Sequence, residues 1–142
     1  MAKYALSKSS QKQLVSCNDP INDVVNFVLD FIDVGVVYGH RGKAIQDKLF
    51  ADGASKLKYP KSKHNAYPSN AVDLIVYVKG IGYIDEKTSR KYRDYYAFLA
   101  GLIAGYCHKQ GYSFRWGGDW DVDRNLDDQT FDDLMHFEIT KL

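Results

Sequence analysis

Apolar residues recur along this chain with two different periods, and the periods divide it into elements. Ile21, Val24, Val25, Val28, Leu29 and Ile32 fall on one face of a 3.6-residue repeat, which predicts an amphipathic helix. Pro20 suits its first turn, where the missing N–H costs nothing. A shorter helix is predicted before it, over Ser7–Ser16, ended by Asn18-Asp19-Pro20. Val34–Tyr38 is short and β-branched, with Gly35 and Gly39 beside its ends, and reads as a strand. Gly42–Asp52 places Ile45, Leu49 and Phe50 on one side and predicts a third helix, stopped by Gly53. Ala71–Lys79, rich in valine and isoleucine, is the clearest strand. Glu86–Gln110 predicts the longest helix, with Tyr92, Tyr95, Tyr96, Leu99, Leu102, Ile103 and Tyr106 as its buried stripe and Gly111 as its C-cap. Tyr112–Trp116 and Phe137–Leu142 read as two further strands. Helices and short, separated strands in this order predict an α+β fold.

Two stretches break the pattern. Ala54–Asn70 turns to Ser, Lys, Pro, Asn and Tyr, and Gly117–Gln129 is acidic and turn-rich. Long ordered loops inside a compact domain are usually functional. The 142 residues match one domain. Hydrophobic residues at 45% supply a core, and a net charge of +1 lacks the positive field of a nucleic-acid binder. Cys17 and Cys107 are too few for a disulfide scaffold and form no CxxC pair, so two ordinary, half-buried thiols are expected. Met1–Ser10 lacks the apolar core of a signal peptide, and no run reaches the roughly 18 apolar residues of a membrane span. A soluble chain made in the cytoplasm is therefore expected. Action outside the membrane would need another component to release it.

Chemistry concentrates around two of the four histidines. His64 stands in a loop and is followed nine residues later by Asp73, a carboxylate inside an apolar strand. Such a carboxylate is costly unless it pairs or binds a cation. His136 stands between Met135 and Phe137, with Asp132 and Asp133 four and three residues before it. Two histidines and one carboxylate leave one coordination position open, the pattern of catalytic zinc sites. Water in that position reaches a pKa of about 7. A hydrolase also needs a base that is not a ligand. Asp133 is placed for this on a turn before the last strand, and Asp132 points elsewhere by the same geometry. Glu138, two residues after His136 on a strand, faces the same side and can orient a ligand imidazole. By spacing alone, each of these residues also has an ordinary structural reading. His40 reads as a structural histidine and His108 as a surface one.

The segments Ser62-Lys63-His64, Pro68-Ser69-Asn70-Ala71-Val72-Asp73, Trp116-Gly117-Gly118-Asp119-Trp120 and Asp133-Leu134-Met135-His136-Phe137-Glu138 together resemble one family. It is the zinc D-alanyl-D-alanine carboxypeptidase and L-alanyl-D-glutamate endopeptidase family, related to VanX and VanY and to the Hedgehog-type fold, and the nearest likeness is to phage endolysins. The resemblance runs from about Tyr38 to Glu138. It implies a small antiparallel sheet flanked by helices, zinc held by His64, Asp73 and His136, and Asp133 as the base. It implies that Arg41 faces the scissile carbonyl, where a guanidinium can bind an oxyanion or clamp a carboxylate. Gln46, Ser55 and Ser62 match positions that support the site. The gap between His64 and Asp73 carries Tyr67-Pro68-Ser69 where many relatives have a shorter, glycine-containing stretch, so the substrate groove is expected to differ in shape.

The implied substrate is the peptidoglycan stem peptide, cut between L-alanine and D-glutamate during host lysis after holin-assisted release to the wall; a monomer is expected, since no exposed apolar stripe stands out in the sequence. The alternatives are a D-alanyl-D-alanine carboxypeptidase or dipeptidase, and a non-catalytic wall-binding module that keeps zinc for structure. A second metal site is also legible. Asp119, Asp121, Asp123, Asn125 and Asp127 alternate as in a calcium loop. Arg124 stands where the sixth-position glycine belongs and Thr130 where the twelfth-position glutamate belongs, so a solvated acidic loop is the plainer expectation and Ca2+ the bolder one.

Overall fold

The computed structural model describes residues 2–127 and 132–142. In chain order these form α1 (Lys8–Val15), α2 (Asp19–Val28), β1 (Val34–Tyr38), α3 (Lys43–Ala51), a single 3-10 turn (Lys63–Asn65), β2 (Ala71–Val78), β3 (Gly82–Ile84), α4 (Arg93–Gln110), β4 (Tyr112–Gly117) and β5 (Asp133–Lys141). The five strands make one antiparallel sheet in the order β1-β2-β5-β4, and β3 pairs with the far end of β2. This is the α+β architecture that the sequence pattern and the resemblance predict.

The helix starts follow from local chemistry. Ser7 accepts a hydrogen bond from the Ser10 amide and Asn18 one from the Ile21 amide. Each cap satisfies an N–H that has no partner inside its helix, a contribution of about 1 kcal/mol. Ile21, Val24, Val25 and Val28 of α2 are fully buried, as are Leu99, Ile103 and Cys107 of α4. They share one core with Val72, Leu74 and Val76 of β2 and with Phe137 and Ile139 of β5. Each such aliphatic or aromatic side chain contributes roughly 1.5–3 kcal/mol by leaving water. Alternation along β2 therefore turns Val72, Leu74 and Val76 toward the helices and leaves Asp73 on the other face.

Two predicted boundaries change and one strand is new. Helix α4 begins at Arg93, because Asp85 captures the amides of Lys87 and Thr88 and holds residues 86–92 in turns. Strand β5 begins at Asp133, four residues before the predicted start. Strand β3 was not predicted; Gly80 and Gly82, both at positive φ, turn the chain back onto β2. Of the predicted acidic loop over 117–129, residues 128 and 129 lie outside the described residues, as does Thr130. Cys17 and Cys107 are free and buried, more deeply than expected, and burial pushes both thiols up to about 12. Neither is a nucleophile at neutral pH.

Tyr96 ties β3 into the sheet. Its hydroxyl donates to the Ile84 carbonyl at 2.5 Å and accepts from the Val76 amide at 3.2 Å, all within the core. Tyr96→Phe leaves both backbone groups unpaired, at a cost of about 1–3 kcal/mol. Chemical denaturation should show that loss with an unchanged m-value; a variant as stable as the wild type would contradict it.

Candidate metal centre

Three ligand atoms converge at the middle of the sheet. Asp73 on β2 lies directly across from His136 on β5 in the antiparallel register. His64 comes in from the 3-10 turn, which Ser62 caps by accepting from the His64 amide while Asn65 closes the box onto the Ser62 amide. His64 Nε2, His136 Nδ1 and Asp73 Oδ1 are mutually 3.2 Å apart, and all three side chains are buried. A tetrahedral ion with ligand bonds of 2.0–2.1 Å has ligand–ligand edges of about 3.3–3.4 Å, so this triangle is the face of a zinc-sized tetrahedron.

The outer hydrogen bonds decide what the inner atoms carry. His64 Nδ1 lies 2.7 Å from the Gly39 carbonyl oxygen, and His136 Nε2 lies 2.9 Å from Glu138 Oε2. Both partners only accept, so both outer nitrogens hold the proton. The inner nitrogens of the neutral rings are then lone pairs aimed at a carboxylate oxygen. Three lone pairs facing one point require a cation, and the donor set of two imidazoles and one carboxylate suits zinc.

Without a metal, that cation is a proton. Burial disfavours a charged His136, but hydrogen bonds to Asp73 and Glu138 outweigh it and raise its pKa to about 9. Burial likewise opposes ionisation of Asp73, and the two imidazoles overcome it and hold the carboxyl well below the usual range.

A second ring of residues fixes the ligands. Arg41 Nη2 donates to Asp73 Oδ2 at 2.7 Å, leaving Oδ1 free for the centre. Its guanidinium stacks 4.4 Å over Tyr38, its Nη1 reaches Gln46 Oε1 at 3.4 Å, and its Nε is buried with no hydrogen-bond partner among the described residues. Gln46 is fully buried and donates to Ser55 Oγ and to the Leu57 carbonyl, so it ties the 54–62 loop to Arg41. Arg115 grips both oxygens of Glu138, at 2.9 and 3.2 Å. With His136 beside it as well, Glu138 overcomes its burial and stays ionised down to about 2. The Trp120 ring centre lies 5.3 Å from that of His136, and the Arg115 guanidinium lies 5.0 Å over the Trp120 ring.

Asp133 reaches the same cavity by an irregularity. Three residues apart on a regular strand, Asp133 and His136 would face opposite sides. Here the register jumps: Trp116 pairs with Phe137 but Gly117 pairs with Asp133, so three residues of β5 bulge out. Gly117 permits this, because a Cβ there would stand 1.9 Å from the Asp133 carbonyl oxygen. Gly118 likewise leaves room for the Trp116 ring, whose Nε1 donates to the Leu134 carbonyl. The Trp-Gly-Gly segment is thus the clamp on the bulge that carries Asp133. Burial first, and the charge of Asp73 second, raise the Asp133 carboxyl to about 6.

Arg41, Lys61, Lys63, Trp120 and Asp133 line a cavity of about 230 Å³ that opens onto His64 and His136. A larger groove of about 770 Å³ between Phe31, Tyr77 and Phe98 is mostly apolar and holds no histidine. Asp132 is paired to Arg93 at 2.6 Å and does not line the cavity. His40 rests on the Ala66 carbonyl, and His108 is exposed. Asp119, Asp121 and Asp123 stand close enough to share an ion. The first of them is buried, contrary to a fully solvated loop. It already accepts from Arg124 and from the amides of Asp123 and Arg124, so the order of the turn needs no calcium. Arg115 and the Gly39 carbonyl were not singled out from sequence, and Trp120 only as the end of the Trp-Gly-Gly-Asp-Trp segment; strand pairing alone brings Arg115 to Glu138.

The family described as phage L-alanyl-D-glutamate peptidase matches residues 2–140. The crystal structure of the Serratia marcescens L-Ala D-Glu endopeptidase ChiX is similar in fold, with a TM-score of 0.69 at 22% identity over 97% of this chain and 92% of that one. No curated protein sequence matches the chain.

Two predictions follow from this geometry. Gly117→Ala drives a methyl group into the Asp133 backbone, so it should abolish activity while zinc content stays close to the wild type; an active variant would contradict the clamp. The second concerns pH. A group whose pKa is raised on folding stabilises fully below its unfolded value and loses that contribution as pH rises through the folded one. For His136 the window runs from 6.5 to about 9. The melting temperature of metal-free protein should fall across it, and the increment given by zinc should grow, since the ion displaces that proton. A flat profile would rule this out.

Proposed function

Since the chain belongs to the phage L-alanyl-D-glutamate peptidase family, we propose that it is a zinc-dependent endopeptidase that cuts the peptidoglycan stem peptide between L-alanine and D-glutamate during host cell lysis. The observation that carries the reading is the buried triangle of lone pairs beside a cavity that also holds a carboxylate outside the triangle. A site built only for structure has no use for that extra carboxylate, which weighs against a purely binding module.

His64, Asp73 and His136 would hold the zinc, and the ion would supply Lewis acidity toward a carbonyl oxygen and toward water. Asp133 has the role of general base. Its carboxyl at about 6 is ionised at neutral pH yet basic enough to take a proton from water in the cavity. It then returns that proton to the leaving amine. Arg41 keeps Asp73 in place through Oδ2 and adds positive charge where the scissile carbonyl becomes an oxyanion. Glu138 and Arg115 hold the His136 ring, so the cavity is arranged before substrate arrives. Ser62, Ser55 and Gln46 support the loop that delivers His64. No helix among the described residues is long and apolar enough to cross a membrane. Release to the wall with holin assistance and action as a monomer belong to the same proposal.

The test compares wild type with Asp133→Ala on purified peptidoglycan. The variant should keep about one zinc and lose roughly 10²–10⁴-fold in rate, and wild-type fragments should carry new D-glutamyl amino termini. Release of D-alanine instead would favour the carboxypeptidase alternative. Wild type that holds zinc and cleaves nothing would overturn the peptidase reading.

A further inference from the structure

Building on that peptidase reading, we propose that Lys61 and Lys63 form the subsite for the free carboxylate of the glutamyl residue on the leaving side of the scissile bond. A glutamyl residue has two carboxyl groups and the peptide continues through only one, so the other remains an anion. Where the chain continues through the side chain, that anion is the α-carboxylate, attached to the very carbon that bears the scissile nitrogen. Every productive pose then brings it close to Asp133, itself an anion at neutral pH. Like charges this near oppose binding unless a cation answers them.

The cavity wall offers five cations: Arg41, Lys56, Lys61, Lys63 and Arg115. Three already have partners. Arg41 is held by Asp73, Arg115 by both oxygens of Glu138, and Lys56 has an interaction of its own. The side chains of Lys61 and Lys63 make no hydrogen bond or ion pair with the described residues, and both are exposed on the wall. Their backbones are nonetheless fixed. Lys61 donates to the Lys58 carbonyl at 2.8 Å, the Lys63 carbonyl accepts from Asn70 at 3.2 Å, and the capped turn beginning at Lys63 carries His64. A compact ammonium on a flexible stem, rooted beside a metal ligand, suits a carboxylate in a wet cavity rim. The clamp expected of Arg41 therefore passes to the lysines, because the arginine is committed to the ligand behind it.

The experiment uses zinc-loaded full-length protein and two stem peptides, identical except that the glutamyl α-carboxylate of one is a carboxamide in the other. Wild type should prefer the acid by about tenfold or more, mainly through KM. Lys61→Met/Lys63→Met should lose that preference by slowing only the acid peptide, with zinc content and melting temperature unchanged. Equal cleavage of both peptides by wild type would overturn the subsite. So would an equal loss on both peptides in the variant, or a preference that follows amidation of the next residue instead. Should wild type cleave neither, the peptidase reading fails, and calorimetric titration of the same two peptides decides the subsite alone. Tighter binding of the acid by wild type only supports it, and equal binding overturns it.

Discussion

The site depends on a buried carboxylate that cannot stand alone. Asp73 is buried on the face of β2 opposite Val72 and Leu74, where an isolated charge would be very costly. Its two oxygens are therefore divided. Oδ2 takes a guanidinium proton from Arg41, and Oδ1 faces two imidazole lone pairs that can be reconciled with it only by a cation. Proton and metal compete for this one place.

The fold delivers this arrangement through close backbone approaches. Gly39 lets its carbonyl reach His64 because a side chain there would collide with the Gln13 carbonyl, Ser16 and Cys17, at 2.4–2.7 Å. Gly117 lets β4 press on the bulge in β5. These two glycines set the tautomer of one ligand and the direction of Asp133. Both work at strand ends, one against α1 and one between the paired strands β4 and β5, so the positions of these groups are inherited from packing.

Much of this was legible in sequence. Local signals located α1, α2 and α3 through their caps and stops, but only α2 buries the apolar face expected of it; in α3 the buried residue is Gln46, and Ile45 and Phe50 of the expected apolar side are exposed. That His64, Asp73 and His136 stand together was expected from the resemblance, with the buried carboxylate in a valine-rich strand as the one sign in the residues themselves, and the structure brings the three within reach of one ion. Less was legible where tertiary pairing decides. The late start of α4 depends on Asp85 capturing two amides, which competes with helix by a local hydrogen bond that periodicity ignores. The bulge in β5 depends on what faces it across the sheet, and no spacing rule for one strand contains that. Arg115 became part of the site only through its register opposite Glu138. The pairing of Arg41 with Asp73 is likewise a fact of three dimensions.

The central claim is that His64, Asp73 and His136 together hold the ion. X-ray absorption at the zinc edge of loaded protein tests it most directly. The account predicts one zinc per chain, a shell of nitrogen and oxygen at about 2.0–2.1 Å, and outer scattering from two imidazoles. A sulfur ligand, a single imidazole, or failure to take up zinc would contradict it.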